Sequence, residues 1–228
     1  MKLKDYWDYW AKTYSYGMDM PFFAKWNIDH ILDGIDLKNN PTIVDLGTGT
    51  GKLILEIGKI NPNCRFVGVD ISKNMLKKAR INIKKQGLNA EFLENHLTKI
   101  ILGDEIADFV VSNAVLHHIK NKEKLFSEIY RILKKKGKLA FSDSFDKPDK
   151  EFEEYTKKWE KDDPKFSKKF KESFEQGWGN VPADIKNKHP REFHTTFDEL
   201  RQVLKKAGFK KIKIIPSPAY FAVVVAQK

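Results

Sequence analysis

Cysteine is nearly absent. Cys64 is the one thiol in 228 residues, which excludes an internal disulfide and suits a reducing compartment, so the cytoplasm is the expected location. Long hydrophobic runs are missing too. None approaches the roughly 18 residues of a membrane span, and the opening "MKLKDYWDYW" lacks the apolar stretch of a signal peptide. Arginine is scarce: the net charge of +11 is carried almost wholly by lysine, spread through segments such as "KKARINIKK" and "EKLFSEIYRILKKKGK". A surplus of cation is compatible with nucleic acid, an acidic membrane or an anionic substrate. Lysine on helical faces without arginine forks reads instead as a solvated surface. No internal repeat or low-complexity tract is present.

What remains is ordinary globular material, 41% hydrophobic and 12% aromatic, long enough for one domain with an elaboration. From residue 41 to 143, short apolar runs alternate with amphipathic stretches. The runs are "TIVDLG", "CRFVGVD", "AEFLEN", "ADFVVSNA" and "KLAFSDS". Between them, helical spacing links Ile71, Met75, Leu76, Ala79 and Ile83, and then Leu125, Ile129, Ile132 and Leu133. Continuous apolar strands suit a sheet covered on both faces, and strand–helix repetition implies parallel βαβ units. The fold class is therefore α/β, an open and doubly wound sheet. At the tail, Thr196 and Glu199 form a capping box and Gly208 stops the helix. "KKIKIIPS" and "AYFAVVVAQ" follow with no room for a helix between them, so the last strand returns antiparallel.

Two stretches lie outside this core. Residues 1–40 are rich in Tyr and Trp and read as a helical cap over the sheet. Residues 144–195 form a charged insertion beyond the carboxyl ends of the strands, where a lid belongs. The whole reads as a single domain with its core at 41–143 and 196–228.

"VDLGTGTG" at 44–51, followed by Lys52, poses the functional question. A phosphate-binding P-loop needs Gly at 46 and a hydroxyl at 53, and both positions are Leu. The dinucleotide fingerprint needs its third Gly at 52, which is Lys, so a nicotinamide oxidoreductase fits poorly. Gly47, Gly49 and Gly51 let backbone approach a ligand closely. Asp70, ending the second strand, is placed to accept hydrogen bonds from both hydroxyls of a ribose. A nucleoside therefore fits, and Asp45 beside the glycines tolerates a cationic one.

These segments, with "VGVDIS", "DFVVSNAVLHHI" and "ILKKKGKLAFSDSF", resemble the successive motifs of class I S-adenosylmethionine-dependent methyltransferases. The likeness is to the branch that holds ubiquinone and menaquinone biosynthesis enzymes and many small-molecule methyltransferases. It covers roughly 40–143 and 196–228 and implies a Rossmann-like, mostly parallel seven-stranded sheet with an antiparallel last strand. It implies S-adenosyl-L-methionine as cofactor, with Gly47, Gly49 and Gly51 along its methionine part, Asp70 on the ribose, Ile71 on the adenine and Asn113 near the methionine moiety. The family often has Gly-Asp after the third strand, whereas this chain has Asn95 and His96 there, so Asn95 would take the adenine contact through its amide oxygen.

His117 and His118 are candidates for a proton acceptor, since imidazole titrates near neutrality; packing under the loop is the alternative. In "HPREFHTT", His189, Arg191, Glu192 and His194 are either a structural loop or a substrate-facing cluster, with Arg191 as an anion clamp. No metal site is expected there, given the loop-like spacing and lack of cysteine. Asp143 points toward the same crevice. Tyr14 and Tyr16 either pack in the core or reach the site, and Trp178 is a candidate lid tip. The expected activity is methyl transfer to a small molecule. RNA, suggested by the basic charge, is the alternative acceptor, and a non-catalytic cofactor-binding regulator is a further reading.

Overall fold

The structure, a computed structural model, describes residues 2–13, 22–146, 150–179, 183, 187, 189–218 and 220–228. Seven strands form one sheet: β1 Thr42–Leu46, β2 Arg65–Asp70, β3 Ala90–Glu94, β4 Ala107–Asn113, β5 Leu133–Ser144, β6 Lys210–Ser217 and β7 Phe221–Gln227. Their order is β3-β2-β1-β4-β5-β7-β6. The first five run parallel, while β7 is antiparallel to both β5 and β6. From β1 the chain moves one way to β2 and β3, then returns to the other side for β4 and β5. That reversal opens a crevice at the carboxyl ends of β1 and β4, the place where open α/β sheets bind ligands.

Eight α-helices are described: α1 Leu3–Thr13, α2 Phe22–Asp33, α3 Lys52–Ile60, α4 Lys73–Lys85, α5 Lys122–Ile132, α6 Lys150–Asp162, α7 Pro164–Gly179 and α8 Phe197–Ala207. Alternate residues of each strand face opposite layers. Ile43, Phe109, Val111, Ala140 and Val223 join α2, α3 and α7 in one apolar cluster. Val44, Val110, Leu139, Phe141 and Val224 join α5 and α8 in the other. The capping box is formed at Thr196 and Glu199, and Gly208 closes α8 at φ 106°. Ser72 caps α4 by accepting from Met75 N at 3.1 Å.

One boundary differs from the sequence reading. Leu133 continues the helical spacing of α5, yet it is the first residue of β5 and pairs with Ala107. Its side chain is fully buried in the same apolar cluster as Ile129 and Ile132, so one residue satisfies both patterns and the helix period cannot mark its own end.

The described part of the stretch after β5 includes two helices, α6 and α7. Phe170 of α7 is fully buried between the rings of Trp26 (5.7 Å) and Phe23 (6.2 Å) on α2. The Trp159 indole of α6 donates to Pro216 O at 3.1 Å. This insertion thus supplies part of a sheet face. On the other flank, α1 is tied to the start of α4 by Asp8, which accepts from Ser72 Oγ at 2.6 Å and Asn74 N at 3.1 Å. A carboxylate at a helix N-terminus is favourable electrostatically.

Candidate active site

The turn after β1 is built from unusual backbone. Gly47, Gly49 and Gly51 have φ of 69°, 53° and 85°, a region costly for any residue with a Cβ. Gly47 has a second reason: a Cβ there would lie 2.4 Å from Val115 Cγ1. Gly49 lies on the wall of a cavity, and a Cβ there would meet only Gly47 O, at 3.9 Å. Gly51 instead turns toward α4, where an added Cβ would sit 3.3 Å from Ile83 and 3.4 Å from Ala79; it is a packing glycine beneath the turn.

Asp70 binds this turn to the next strand. Gly49 N donates to its Oδ2 at 2.9 Å and Ser72 N to its Oδ1 at 2.8 Å. Each oxygen keeps a lone pair for a ligand. Burial pushes the carboxyl up to about 6 against the pull of those N–H bonds. Asp45 accepts from Thr48 Oγ1 at 2.7 Å, and burial lifts it to about 7, with the Asp70 charge adding to the rise. Asn113, at the end of β4, has a buried Oδ1 without a hydrogen-bond partner, and it lies on the cavity wall.

After β4 a 3-10 turn, Leu116–His118, presents two imidazoles. Asp143 sits behind His117 rather than on the wall. It accepts from His117 N at 2.9 Å and Ser144 N at 2.8 Å, and it meets the imidazole Nδ1 in a short contact. Burial opposes its ionisation, but the His117 and Lys122 charges and these hydrogen bonds hold it below the usual carboxylate range. An ionised Asp143 only accepts, so Nδ1 carries the proton and the lone pair of a neutral His117 is on Nε2. Lys122, half-buried and lowered to about 8 mainly by desolvation, donates to Leu116 O at 2.6 Å and braces the turn. His118 is held neutral, lowered to about 3 by burial and then by neighbouring His117 and His189.

The 189–194 loop closes onto this turn. Phe193 N donates to His117 O at 2.7 Å. Glu192 is thereby placed 3.1 Å from His194 Nε2, 3.5 Å from His189 Nδ1 and 3.8 Å from His117 Nε2. The His194 hydrogen bond, followed by the surrounding imidazole charges, outweighs desolvation and holds Glu192 down at about 2, so it is an anion at any working pH. His194 is raised by the same contact, and burial lowers His189. Among the described residues, no group of three or more His, Cys, Asp or Glu is arranged to hold a metal ion.

These parts surround one cavity of about 690 Å³. Its wall includes Asp45, Gly47, Gly49, Asp70, Ile71, Asn113, both histidines of the 3-10 turn and His194. Asn95 and His96 are not on it. Asn95 Oδ1 already accepts from Ile101 N, and His96 is exposed with Nδ1 2.9 Å from Thr98 Oγ1. Leu97 lines the cavity in their stead. Arg191 is also off the wall, exposed, with its guanidinium 5.5 Å from the Phe193 ring centroid. Tyr14 and Tyr16 lie outside the described residues, as does the side chain of Trp178, whose backbone falls in the last turn of α7. Sequence reasoning missed Trp7 and Trp10 as the aromatic roof, Phe174 of α7, and Asn27, all of which line the cavity. Asn27 is 1% exposed and its Oδ1 has no partner. The signal was faint, a lone amide on the apolar side of α2.

Residues 37–208, more than half the chain, match a family described as a methyltransferase domain. The chain is 34% identical over 104 residues to the arsenite methyltransferase of Halobacterium salinarum, covering 45% of this chain and only 27% of that protein. It is 27% identical over 217 residues to the carboxy-S-adenosyl-L-methionine synthase of Nautilia profundicola, covering 92% of this chain and 87% of that one. Phosphoethanolamine N-methyltransferase 2 of Haemonchus contortus, solved in complex with S-adenosyl-L-methionine, superposes with a TM-score of 0.66 at 19% identity, over 94% of this chain and 46% of the other. A doubly wound sheet with an antiparallel β7, a glycine turn facing an acid at the end of β2 and a matching family over most of its length lead to one conclusion: the chain belongs to the S-adenosylmethionine-dependent methyltransferases of class I.

Proposed function

We propose that the acceptor is a small molecule enclosed in the cavity and that His117 takes its proton. The observation that carries this reading is the size and lining of the cavity. The cavity of about 690 Å³ falls within the roughly 300–1,000 Å³ of small-ligand sites, and it is bordered by the carboxyl ends of β1, β2 and β4 on one side and by α1, α2 and the 189–194 loop on the others. The residues present fit the cofactor. Both Asp70 oxygens have capacity for ribose hydroxyls, Gly49 carries no Cβ to crowd the cavity wall, and the Asn113 oxygen lacks a partner. When bound, S-adenosylmethionine supplies an electrophilic methyl group on a sulfonium.

The chain's own residues then have three tasks. Asp70 and the glycine turn fix the nucleoside end. The aromatic roof and α2 exclude water and orient the acceptor, and positioning of this kind contributes on the order of 7–11 kcal/mol to such reactions. His117, its Nδ1–H held by Asp143, offers Nε2 to the acceptor's proton, worth about 10²–10⁴ in rate. Soft arsenic species prefer thiolates, and the lone Cys64 is buried in the apolar cluster beneath α3 rather than on the cavity wall, which counts against arsenite as the acceptor.

Isothermal titration with S-adenosylhomocysteine tests the cofactor part. The wild-type chain releases heat on binding, and Asp70→Ala binds roughly a hundredfold more weakly through loss of two charge-assisted hydrogen bonds. Equal affinity in the two proteins would overturn the assignment. The small-molecule part fails if transfer RNA binds with an affinity that drops steeply with salt.

A further inference from the structure

The cavity wall away from the glycine turn has a charge character that the cofactor does not require. It holds a permanent anion, Glu192, together with the exposed Asp146. It holds no arginine among its described residues. Its lysine, Lys52, belongs to the glycine turn and is paired with Glu56 at 3.0 Å. Arg191, beside Glu192 in sequence, stacks outward on Phe193. Burial holds His118 and His189 toward their neutral forms, and His194, whose pKa is raised by its 3.1 Å contact with Glu192, is the cationic imidazole of the wall and engages one oxygen of that carboxylate, leaving the other for a ligand.

Two further observations point to a ligand with hydrogen-bond donors and a positive charge. Asn27 is 1% exposed, lies on the wall and has an amide oxygen that nothing satisfies; an orphan acceptor calls for a donor. Trp7 and Trp10 lie nearly parallel, at 18° and 5.0 Å between centroids, and both line the cavity. Trp7 is in edge contact with His118 at 5.2 Å, and His118 is 5.2 Å from His189, so the indole panel is continuous with the imidazoles around Glu192. The outer faces of such an indole pair attract an ammonium group.

We propose that the methyl acceptor is a protonated primary or secondary amine, drawn into the cavity by Glu192 and the Trp7–Trp10 panel and discriminated there from carboxylates and phosphates. The inference rests on the small-molecule reading above and narrows it to one substrate class. In the transfer, the ammonium gives one proton to His117 Nε2. Its freed lone pair forms the N–C bond as the C–S bond breaks, the electron pair of that bond stays on sulfur, and the imidazole returns the proton to solvent.

The test uses full-length protein saturated with S-adenosylhomocysteine, with saturation verified first by calorimetry. Loss of that first binding step would count against the cofactor assignment, independently of any amine preference. Phenethylamine and 3-phenylpropionate, which share a ring and differ in charge, are then titrated and followed by calorimetry and tryptophan fluorescence. The amine is expected to bind roughly tenfold or more tightly than the acid, and Glu192→Gln is expected to abolish the preference while leaving S-adenosylhomocysteine affinity unchanged. Equal binding, tighter binding of the acid, no binding of either probe, or a preference that survives Glu192→Gln would overturn the proposal.

Discussion

A carboxylate is most costly to ionise where water cannot reach it, and Asp45 and Asp70 are 2% and 8% exposed. Asp45 has only the Thr48 hydroxyl among its described hydrogen bonds, and burial raises it to about 7 from 3.8. The native state therefore holds this proton more tightly than the unfolded chain does. The ionisation penalty is fully present above about pH 7 and disappears as the pH falls through that value toward 3.8. At about 1.4 kcal/mol per pH unit the ceiling is roughly 4 kcal/mol, and an amide N–H left without a partner would return about 1–3 kcal/mol of it. Asp45→Asn should accordingly melt a few degrees higher than wild type at pH 8 and lose that advantage near pH 4. Matching melting temperatures at pH 8 would show that Asp45 is not penalised in the fold. A cost of this kind is what is expected of a residue placed for a ligand rather than for stability.

The turn between β1 and α3 separates two uses of glycine, and the two can be distinguished by substitution. Gly47→Ala brings a methyl to 2.4 Å from Val115, adding about 1–3 kcal/mol of overpacking to roughly 1–2 kcal/mol of left-handed strain. Gly49→Ala carries the strain alone, because its Cβ meets only Gly47 O at 3.9 Å. The first variant should lose stability markedly. The second should lose only the roughly 1–2 kcal/mol of strain yet fail to bind S-adenosylhomocysteine, and retained binding would mean the ligand does not pass over Gly49. The glycine turn was legible in the sequence because its spacing and the acid at the end of β2 are local patterns, as were the strands, whose apolar runs are continuous. Other parts were not local. Asp143 reads as one more acid in the crevice until its hydrogen bonds to His117, 26 residues away, show that it works from behind. Asn95 was assigned by position in a motif, and the bond from Ile101 N that occupies its oxygen leaves no mark in the sequence. The Asn27 amide oxygen had no partner to predict, and that absence is what makes it informative.

For the whole molecule, the main question is how the insertion after β5 relates to the sheet. A lid hinged over the crevice would carry its apolar residues toward the ligand and could open without disturbing the core. Instead α7 buries Phe170 fully in the cluster that holds Ile43, Ile54 and Val223, while Phe174 of the same helix reaches the cavity. One helix therefore joins the sheet face to the cavity wall, and the 189–194 loop of the same insertion sets Glu192 beside His117 and His194. The insertion is expected to unfold with the sheet, as part of one cooperative domain. Phe170→Ala should cost about 3–5 kcal/mol and lower the midpoint of a single thermal transition. Amide hydrogens of α7 should exchange with the protection of β1 and β4, through global opening. A detachable lid would behave differently: α7 would exchange far faster than the central strands, and Phe170→Ala would leave the main transition where it was. Protection of α7 equal to that of the central strands would mean that the Phe174 side of the cavity is held as firmly as the sheet, as the proposed orientation of an acceptor there requires.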